Sequence, residues 1–282
     1  MNPKRTILIT GCSSGIGQCA AHSLRQRGWR VFASARKLID VERLHAEGFD
    51  ALQLDLDDSA SIHTAVTTLL TRTGGLLDAL FNNGAWGLPG AVEDLSRDAL
   101  RAQFETNLFG WVELTNLLIP VMRKQGHGRI VQCSSVLGFA AFPYRGAYTA
   151  SKFALEGLSD TLRMELRDTG IHVSLIEPGP IQTHFRANAY LAFTRWIRIE
   201  GSPHQAQYRK QLARLQKEGA AAPFTLPPDA VVVKLIHALE SRHPKLRYPV
   251  TVPTIAFAWL KRILPQRWMD KLLIRASGDG QR

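Results

Sequence analysis

Thr6-Ile7-Leu8-Ile9-Thr10-Gly11-Cys12-Ser13-Ser14-Gly15-Ile16-Gly17 is the stretch that decides the fold of this chain. Its first five residues are typical of a short buried strand, and Ile16, Ala20 and Leu24 then recur at helical spacing. Gly28 is placed to end that helix. A glycine-rich turn at a helix N-terminus offers free backbone N–H groups and the positive end of the helix dipole, which suits a phosphate. The stretch therefore predicts a strand–turn–helix unit that binds a phosphate-containing ligand.

The same alternation of strand and helix continues along the chain. Further short apolar runs predict strands at Val31–Ala35, Ala51–Leu54, Ala79–Phe81, Arg129–Cys133, His172–Ile176 and Leu246–Val250. Helical spacing of apolar residues lies between them, as in a helix from about Tyr148 to Thr169. Strands that alternate with helices require crossover connections. We therefore predict one α/β domain over residues 1–282, with a Rossmann-type doubly wound parallel sheet flanked by helices.

Composition sets the class of protein. The chain has 282 residues, of which 45% are hydrophobic, so it can bury a full core. No continuous apolar segment has the roughly 18 residues of a membrane-spanning helix, and the N-terminus lacks the apolar centre of a secretion signal. We therefore expect a cytoplasmic protein. The spacing of Cys12, Cys19 and Cys133 matches neither a metal site nor a disulfide framework, so we expect reduced thiols and no metal.

One region interrupts the alternation of elements. Between Pro180 and Pro228 no strand pattern appears, and aromatic and basic residues are frequent. An insertion of this size after a strand is usually functional. We interpret residues 184–228, the lid segment, as a helical substrate lid. A helical hairpin with no ligand role is the alternative.

The C-terminal part of the chain is basic. The net charge is +11, and Arg242 to Arg275 contains eight Lys and Arg residues against the single acid Asp270. In residues 252–282, the C-terminal segment, basic residues alternate with tryptophan and aliphatic residues, which is typical of an amphipathic helix on an anionic membrane. Pro253 and Pro265 interrupt it and favour an element that closes the substrate pocket or packs against a partner subunit. No nucleic-acid-binding motif accompanies the charge, so we do not predict a nucleic-acid partner.

Further motifs follow the glycine-rich turn in a fixed order. They are Asp55-Leu56 after the third strand, Asn82-Asn83-Gly84 after the fourth, Asn107, Ser135 after the fifth, Tyr148-Thr149-Ala150-Ser151-Lys152, and Pro178-Gly179-Pro180-Ile181-Gln182-Thr183 after the sixth. With Thr10–Gly17, this series resembles the TGxxxGxG and YxxxK signatures of the short-chain dehydrogenase/reductase family. Within that family, the chain is most similar to bacterial NADP-dependent aldehyde reductases of the retinol- and hydroxysteroid-dehydrogenase-like branch. The stretches that carry this finer resemblance are the turn itself, Asp40–Arg43, Ser174–Ile181 and Arg247–Thr251.

The family resemblance implies four catalytic residues: Asn107, Ser135, Tyr148 and Lys152. Tyr148 and Lys152 are four residues apart and share a helix face, so we expect the ammonium to lower the pKa of the phenol and make it a proton donor. The resemblance implies that Ser135 orients the substrate carbonyl and that Asn107 holds a water that relays protons. Ser134 is a rival to Ser135, which the family spacing favours.

The cofactor-binding residues follow from the same resemblance. They are Gly11, Ser13, Ser14, Gly15, Ile16, Gly17, Arg36, Asp55, Leu56, Asn83, Tyr148, Lys152, Pro178, Gly179, Ile181 and Thr183. An NAD enzyme normally has an acid at the end of the second strand, whereas Arg36 stands there and suits the 2′-phosphate of NADP(H). Ser34 or Ser13 is a candidate second donor to that phosphate.

These observations predict an NADPH-dependent reduction of an apolar aldehyde or ketone, with Tyr148 as general acid. The alternatives are NADP-dependent oxidation of a hydroxysteroid-like or retinol-like alcohol, and a cofactor-binding regulator without turnover. The family resemblance also implies a homo-oligomer. One departure is that Gly84-Ala85 exchanges the family's Ala-Gly order, which would strain Ala85 if that position needs a positive φ.

Overall fold

The computed structural model describes residues 4–217, 219 and 222–277. Within them a sheet of seven parallel strands forms the centre, in the spatial order β3-β2-β1-β4-β5-β6-β7. The strands are β1 (Thr6–Ile9), β2 (Arg30–Ala35), β3 (Asp50–Gln53), β4 (Ala79–Asn82), β5 (Gly128–Cys133), β6 (Ile171–Glu177) and β7 (Arg247–Pro249). The predicted parallel, doubly wound α/β sheet is confirmed, and a strand lies at every predicted position.

Eleven α-helices lie within the described residues. They are α1 (Gly15–Gln26), α2 (Leu38–Ala46), α3 (Ser59–Thr73), α4 (Arg97–Phe104), α5 (Gly110–Gln125), α6 (Gly146–Glu165), α7 (Phe185–Trp196), α8 (Gln205–Gln216), α9 (Asp229–Glu240), α10 (Val252–Ile263) and α11 (Gln266–Ser277). A π-helical turn, Glu105–Phe109, joins α4 to α5. Helix α6 ends before the predicted Thr169, because the chain turns through Gly170, at φ 74°, into β6.

The strand order explains where a ligand can bind. All residues of β1 and β4 are buried, as is typical of strands covered on both faces. These two strands are neighbours, and the chain proceeds outward from them in opposite directions, so the loops at their carboxyl ends diverge and leave a crevice. Functional side chains are therefore expected at this edge.

The lid segment forms α7 and α8, which pack on each other away from the main core. Ala189, Phe193 and Tyr208 are buried there against Leu88 and Ala91, which follow β4. The Tyr208 hydroxyl donates to the Asp94 carboxylate and accepts a hydrogen bond of 3.0 Å from the Ala91 N–H. In the described part of this segment the only β-type pairing is an isolated bridge from Leu226 to Ile181, which lies just before the segment. Residues 218, 220 and 221 of the lid segment lie outside the described residues.

The C-terminal segment forms α10 and α11. Pro253 lies in the first turn of α10, where proline is tolerated, and Pro265 separates the two helices. Met269 and Leu273 of α11 are buried against Ala140, which lies after β5. Residues 278–282 of this segment, like residues 1–3, lie outside the described residues. Over the described ranges, no helix has both the length and the apolar character needed to cross a membrane.

Candidate active site

A cavity of about 680 Å³ opens at the carboxyl ends of β1, β4, β5 and β6. This volume is within the range of small-molecule sites. Most of the predicted site residues line its wall: Gly11, Ser13, Ser14, Gly15, Ile16, Asn83, Ser135, Tyr148, Lys152, Pro178, Gly179, Ile181 and Thr183. Residues that are up to 172 positions apart in sequence thus share one cavity, because parallel strands end at the same edge of the sheet.

The remaining predicted residues lie beside or behind this wall. Gly17 is inside the first turn of α1, where a Cβ atom would collide with the Gly11 carbonyl oxygen. Arg36 directly follows β2, and Asp55 and Leu56 follow β3, at the same edge of the sheet. Asn107 is fully buried in the π-helical turn.

The glycine-rich turn is built to hold an anion. Gly11 and Gly15 have φ values of 71° and 59°, which L-residues with side chains rarely adopt. Ser14 is the N-cap of α1, and its side chain does not cap the helix. The first N–H groups of α1 therefore lie beside the cavity without a side-chain acceptor, and this arrangement fits a phosphate group.

Hydrogen bonds join the loop after β4 to the glycine-rich turn. The Thr10 hydroxyl accepts hydrogen bonds from the N–H groups of Asn83 and Gly84, at 2.8 and 2.9 Å. The Asn83 side chain donates to the Thr10 carbonyl at 3.1 Å. Ala85 is not strained, because among the described non-glycine residues only Tyr144 and Phe224 have a positive φ. The exchanged Gly84-Ala85 order therefore has no backbone cost here.

Tyr148 and Lys152 face the cavity from the first turns of α6. Tyr148 is 8% exposed and Lys152 is 1% exposed. The Lys152 ammonium donates to the Cys133 carbonyl at 2.8 Å. It also lies 4.2 Å from the ring centroid of Trp111 and 5.7 Å from that of Tyr148. The lysine is thus held between β5, α5 and the tyrosine ring.

Burial governs the ionisation of both groups. Desolvation raises the pKa of Tyr148 well above its ordinary value, and the interaction with Ser135 offsets this only in part. Desolvation also lowers the pKa of Lys152 to about 8. The net shift in the pKa of Tyr148 is therefore upward, opposite to the direction expected from the nearby ammonium, because desolvation is its largest cause.

Ser135 rather than Ser134 is placed to act with Tyr148. The Ser135 hydroxyl accepts from the Leu137 N–H at 3.1 Å and interacts with the Tyr148 phenol. The Ser134 hydroxyl is buried beside Glu156, close to the position that a Cβ atom on Gly138 would occupy. The geometry agrees with the choice made on spacing.

Asn107 is fixed by the backbone around it. Its side-chain oxygen accepts from the Trp86 N–H at 3.2 Å, and its amide nitrogen donates to the Trp86 carbonyl at 2.8 Å. The same nitrogen lies 3.3 Å from the Ser151 hydroxyl, one residue before Lys152. These bonds join the π-helical turn to the loop after β4 and to α6. A water relay through Asn107 stays a prediction.

The sequence model of the short-chain dehydrogenase family matches residues 5–192. The chain belongs to the short-chain dehydrogenase family. It is therefore an oxidoreductase that interconverts carbonyl and alcohol groups, and the cavity described above is its candidate active site.

Known proteins similar to this short-chain dehydrogenase cover nearly its whole length. An uncharacterized oxidoreductase of Escherichia coli, YbbO, is 46% identical over 96% of this chain and 94% of its own. Human retinol dehydrogenase 8 is 34% identical over 92% of this chain and 85% of its own. An NADPH-dependent 3-dehydrocapnine reductase of Ornithobacterium rhinotracheale is 31% identical over 96% of each chain.

A solved structure gives the same result for the fold. The short-chain dehydrogenase from Streptomyces avermitilis superposes with a TM-score of 0.77 at 26% identity, over 100% of this chain and 99% of its own. The two chains thus share the overall fold.

Three further residues of this short-chain dehydrogenase contribute to the site, although sequence patterns do not predict their roles. Trp111 lies over the Lys152 ammonium, and its indole N–H donates to the Gly84 carbonyl at 2.8 Å. In sequence it is one apolar residue of a helix, so only the tertiary structure shows the contact. Phe185 belongs to the aromatic-rich lid segment, and its ring centroid lies 5.3 Å from that of Tyr148. Thr10 belongs to the glycine-rich motif, but the motif does not predict that its hydroxyl accepts hydrogen bonds from two backbone N–H groups.

One predicted donor to the cofactor is placed elsewhere. Ser34 is 1% exposed, and its hydroxyl donates to the Ile9 carbonyl at 3.1 Å. Because this bond joins β1 and β2 within the core, Ser34 cannot reach a ligand at the sheet edge. The suggestion that Ser34 contributes to phosphate binding is wrong. Ser13, by contrast, lines the cavity.

Proposed function

We propose that this protein reduces an apolar aldehyde or ketone to the alcohol, with NADPH as the hydride donor and Tyr148 as the general acid. The observation that carries the proposal is the convergence of Ser135, Tyr148 and Lys152 on the cavity that the glycine-rich turn also lines. The chemistry divides in the usual way between the nicotinamide cofactor, which supplies the hydride when bound, and the protein, which positions and polarises the carbonyl.

The side chains supply the proton chemistry. The Ser135 hydroxyl donates a hydrogen bond to the carbonyl oxygen and holds it beside the phenol. Tyr148 gives its proton to that oxygen as negative charge develops, and the raised pKa of Tyr148 keeps this proton in place at neutral pH before reaction. The charged Lys152 then stabilises the phenolate that is left. Asn107 keeps Ser151 and the start of α6 in register with the loop after β4.

The preference for NADPH rests on the end of β2. Ala35 is followed by Arg36 and Lys37, both exposed, and the next acid, Asp40, lies 3.4 Å from the guanidinium of Arg43. A guanidinium suits a 2′-phosphate, whereas an acid is needed for the 2′-hydroxyl of NAD. A relative named for its NADPH dependence supports this preference.

Arg36→Ala tests the preference, with Lys37→Ala as the neighbouring control. We expect Arg36→Ala to lower kcat/KM with NADPH about 10- to 100-fold, the contribution of a lost charge-assisted hydrogen bond, and to leave kcat/KM with NADH nearly unchanged. Lys37→Ala should change both values less than about threefold. A wild-type protein that uses NADH as efficiently as NADPH contradicts the proposal.

The apolar substrate follows from the cavity wall. Residues of several elements contribute aromatic and aliphatic side chains to it: Leu88, Pro89, Phe142, Phe185, Phe224 and Phe257. The names of two relatives, a retinol dehydrogenase and a 3-dehydrocapnine reductase, are in keeping with long apolar substrates. A panel of aliphatic aldehydes, aromatic aldehydes, retinal and ketosteroids, followed by NADPH absorbance, tests the substrate class. No turnover of any member would favour a cofactor-binding regulator instead.

Oxidation of a retinol-like or hydroxysteroid-like alcohol with NADP is the second candidate. The similarity to human retinol dehydrogenase 8 favours it. Oxidation requires Tyr148 to accept a proton, and a raised pKa makes the phenolate form scarcer at neutral pH, so this direction should become faster as the pH rises. The ratio of the two rates at neutral pH distinguishes the candidates. Self-association and a lid role for residues 184–228 are further parts of the proposal. Sedimentation tests the first, and the kinetics of Phe185→Ala test the second.

A further inference from the structure

Helices α10 and α11 expose large apolar side chains to solvent. We call the surface formed by Val252, Ile255, Trp259, Ile263 and Trp268 the outer face. On α10, Val252, Ile255, Trp259 and Ile263 follow one another at intervals of three and four residues, so they form one stripe. They are 61, 43, 62 and 72% exposed. Trp268 of α11 adds a ring that is 65% exposed.

The folding of the two helices does not require this stripe. Their inner sides are already filled by other residues: Thr254 is buried on α10, Met269 and Leu273 are buried on α11, and Phe257 makes an edge contact of 5.7 Å with Phe142. Exposed apolar residues that are scattered singly are ordinary, whereas a contiguous set indicates a binding surface. None of the residues that the structure describes covers the outer face, so it is available to an occupant.

The charges around the outer face indicate what that occupant is. Between Val252 and Ser277, the cations around it are Arg262, Arg267, Lys271 and Arg275, and the only acid is Asp270. Lys261 points inward instead, because its ammonium donates to the Phe139 carbonyl at 2.6 Å. Two cations lie over the exposed indoles, with Arg262 5.8 Å from the Trp259 ring centroid and Lys271 5.7 Å from that of Trp268. Indole rings and basic side chains are the groups that settle at the headgroup level of a bilayer.

We propose that the outer face docks on the surface of an anionic lipid bilayer. The apolar stripe would enter the boundary between headgroups and acyl chains, while the surrounding cations meet lipid phosphates. A second copy of this chain fits the same face poorly, because a two-fold interface would bring its cations against one another.

This location has a consequence for the active site. Pro253 and Phe257 of α10 and Ala276 and Ser277 of α11 line the cavity, so the helices that would contact lipid also form part of its wall. When the protein is docked, the wall of the cavity that these two helices form would lie next to the bilayer. Entry of an apolar carbonyl compound from the lipid is the expected route, and this last step rests on the proposed function.

Vesicle co-sedimentation of the full chain tests the docking without any substrate. The vesicles are phosphatidylcholine alone or an equal mixture of phosphatidylcholine and phosphatidylglycerol. The test variant is Trp259→Glu with Ile263→Glu, and the control is Val233→Glu, at an α9 residue that is 62% exposed. We expect binding of wild type and control to the anionic vesicles only, weakened by salt, and at least about tenfold weaker binding of the double variant.

Each other outcome overturns the proposal. These are no binding of the wild type to anionic vesicles, equal binding to neutral vesicles, an equal loss in the control, and concentration-dependent self-association that the double variant abolishes while vesicles bind nothing. Thermal unfolding and turnover of a water-soluble aldehyde, measured on the same variants, report folding and the proposed activity separately. Docking without turnover would therefore count against the proposed reaction alone.

Discussion

At the scale of single residues, burial determines the protonation of the catalytic pair. Tyr148 and Lys152 are both buried, and burial favours the neutral form of each side chain. It raises the pKa of the phenol and lowers the pKa of the ammonium to about 8. Four-residue spacing on a helix predicted that the two groups are neighbours, and it could not predict the desolvation. Below about pH 8 the pair holds a neutral phenol beside a charged ammonium, which is the state that reduction needs.

This protonation state predicts the pH dependence of reduction. Because Lys152 is charged only below its pKa of about 8, kcat/KM should stay level near neutral pH and fall up to about tenfold per pH unit above pH 8. Tyr148 stays protonated across this range and does not contribute to the fall. The measurement is the pH profile of NADPH-dependent reduction.

Lys152→Arg provides the matched control for that profile. A guanidinium stays charged throughout the accessible range, so the fall above pH 8 should disappear, even where the variant is slower overall. If wild type and variant lose activity at the same pH, Lys152 is not the group that titrates, and the assignment of its role is wrong.

At the scale of elements, the first residue of the lid helix covers the proton donor. Phe185 makes an edge contact of 5.3 Å with the Tyr148 ring. A Cβ atom on Gly87 would come within 2.7 Å of the Phe185 ring, so the loop after β4 is shaped to admit this side chain. Aromatic composition predicted a lid, and only the packing of α7 identifies which aromatic residue reaches the site.

Phe185→Ala should weaken substrate binding more than catalysis. Removing the ring leaves an apolar substrate without one wall, so we expect KM to rise about tenfold with a change in kcat of less than about threefold. Leu191→Ala is the control, because this residue of the same helix is 64% exposed and does not line the cavity. Unchanged kinetics in Phe185→Ala would remove the lid role of α7.

Helix α6 and strands β6 and β7 meet at a cluster of carboxylates around one guanidinium. Arg247 contacts Glu156 at 2.7 Å, Asp160 at 2.6 Å and Glu177 at 3.7 Å. Glu177 is 3% exposed, and burial, together with the nearby Glu156, raises its pKa to about 7. The Arg247 guanidinium is therefore shared by three carboxyl groups, and its distance to the Glu177 carboxyl is the longest of the three.

Glu177→Gln should stabilise the protein at alkaline pH. A carboxyl whose pKa is raised to about 7 on folding favours the folded state below its ordinary value of 4.5 and loses that contribution as pH rises through 7. At pH 8 the free energy of unfolding of the variant should therefore be about 1–3 kcal/mol higher than that of the wild type. This difference should vanish near pH 5. Thermal or urea unfolding at the two pH values measures this.

Asp160→Asn separates this effect from a general response to charge removal. Asp160 has a short contact with Arg247, so its loss should give no gain at pH 8. If Glu177→Gln is less stable than wild type at pH 8, the cluster is held by an ionised Glu177 and the burial argument fails.

At the scale of the whole molecule, the sequence predicted the centre of the sheet well because β1 and β4 are short, largely apolar runs. β1, β4 and the turn at Gly11–Gly17 needed no tertiary information, and the order of the motifs predicted which residues meet at the sheet edge. Contacts between elements distant in sequence were not accessible in this way. Trp111 on Lys152 and the inward hydroxyl of Ser34 depend on how α5 and β2 pack, which residue spacing does not encode.

The strand order accounts for the site as a unit. Because β1 and β4 are neighbours, the phosphate-binding turn, the Asn83 loop and the end of β5 meet in one cavity, with α6 presenting Tyr148 to it. The central claim is that the Tyr148 hydroxyl delivers the proton in this cavity. The fold positions the Tyr148 hydroxyl, and burial keeps it protonated until negative charge develops on the carbonyl oxygen.

Tyr148→Phe tests that claim most directly, because it removes one oxygen atom and keeps the ring that packs on Phe185. The measurement is NADPH consumption with an aldehyde that the wild type turns over, together with NADPH binding by fluorescence titration. We predict turnover reduced at least about a thousandfold, with the Kd for NADPH changed less than about threefold. Turnover within about tenfold of wild type, with NADPH still bound, would contradict the account.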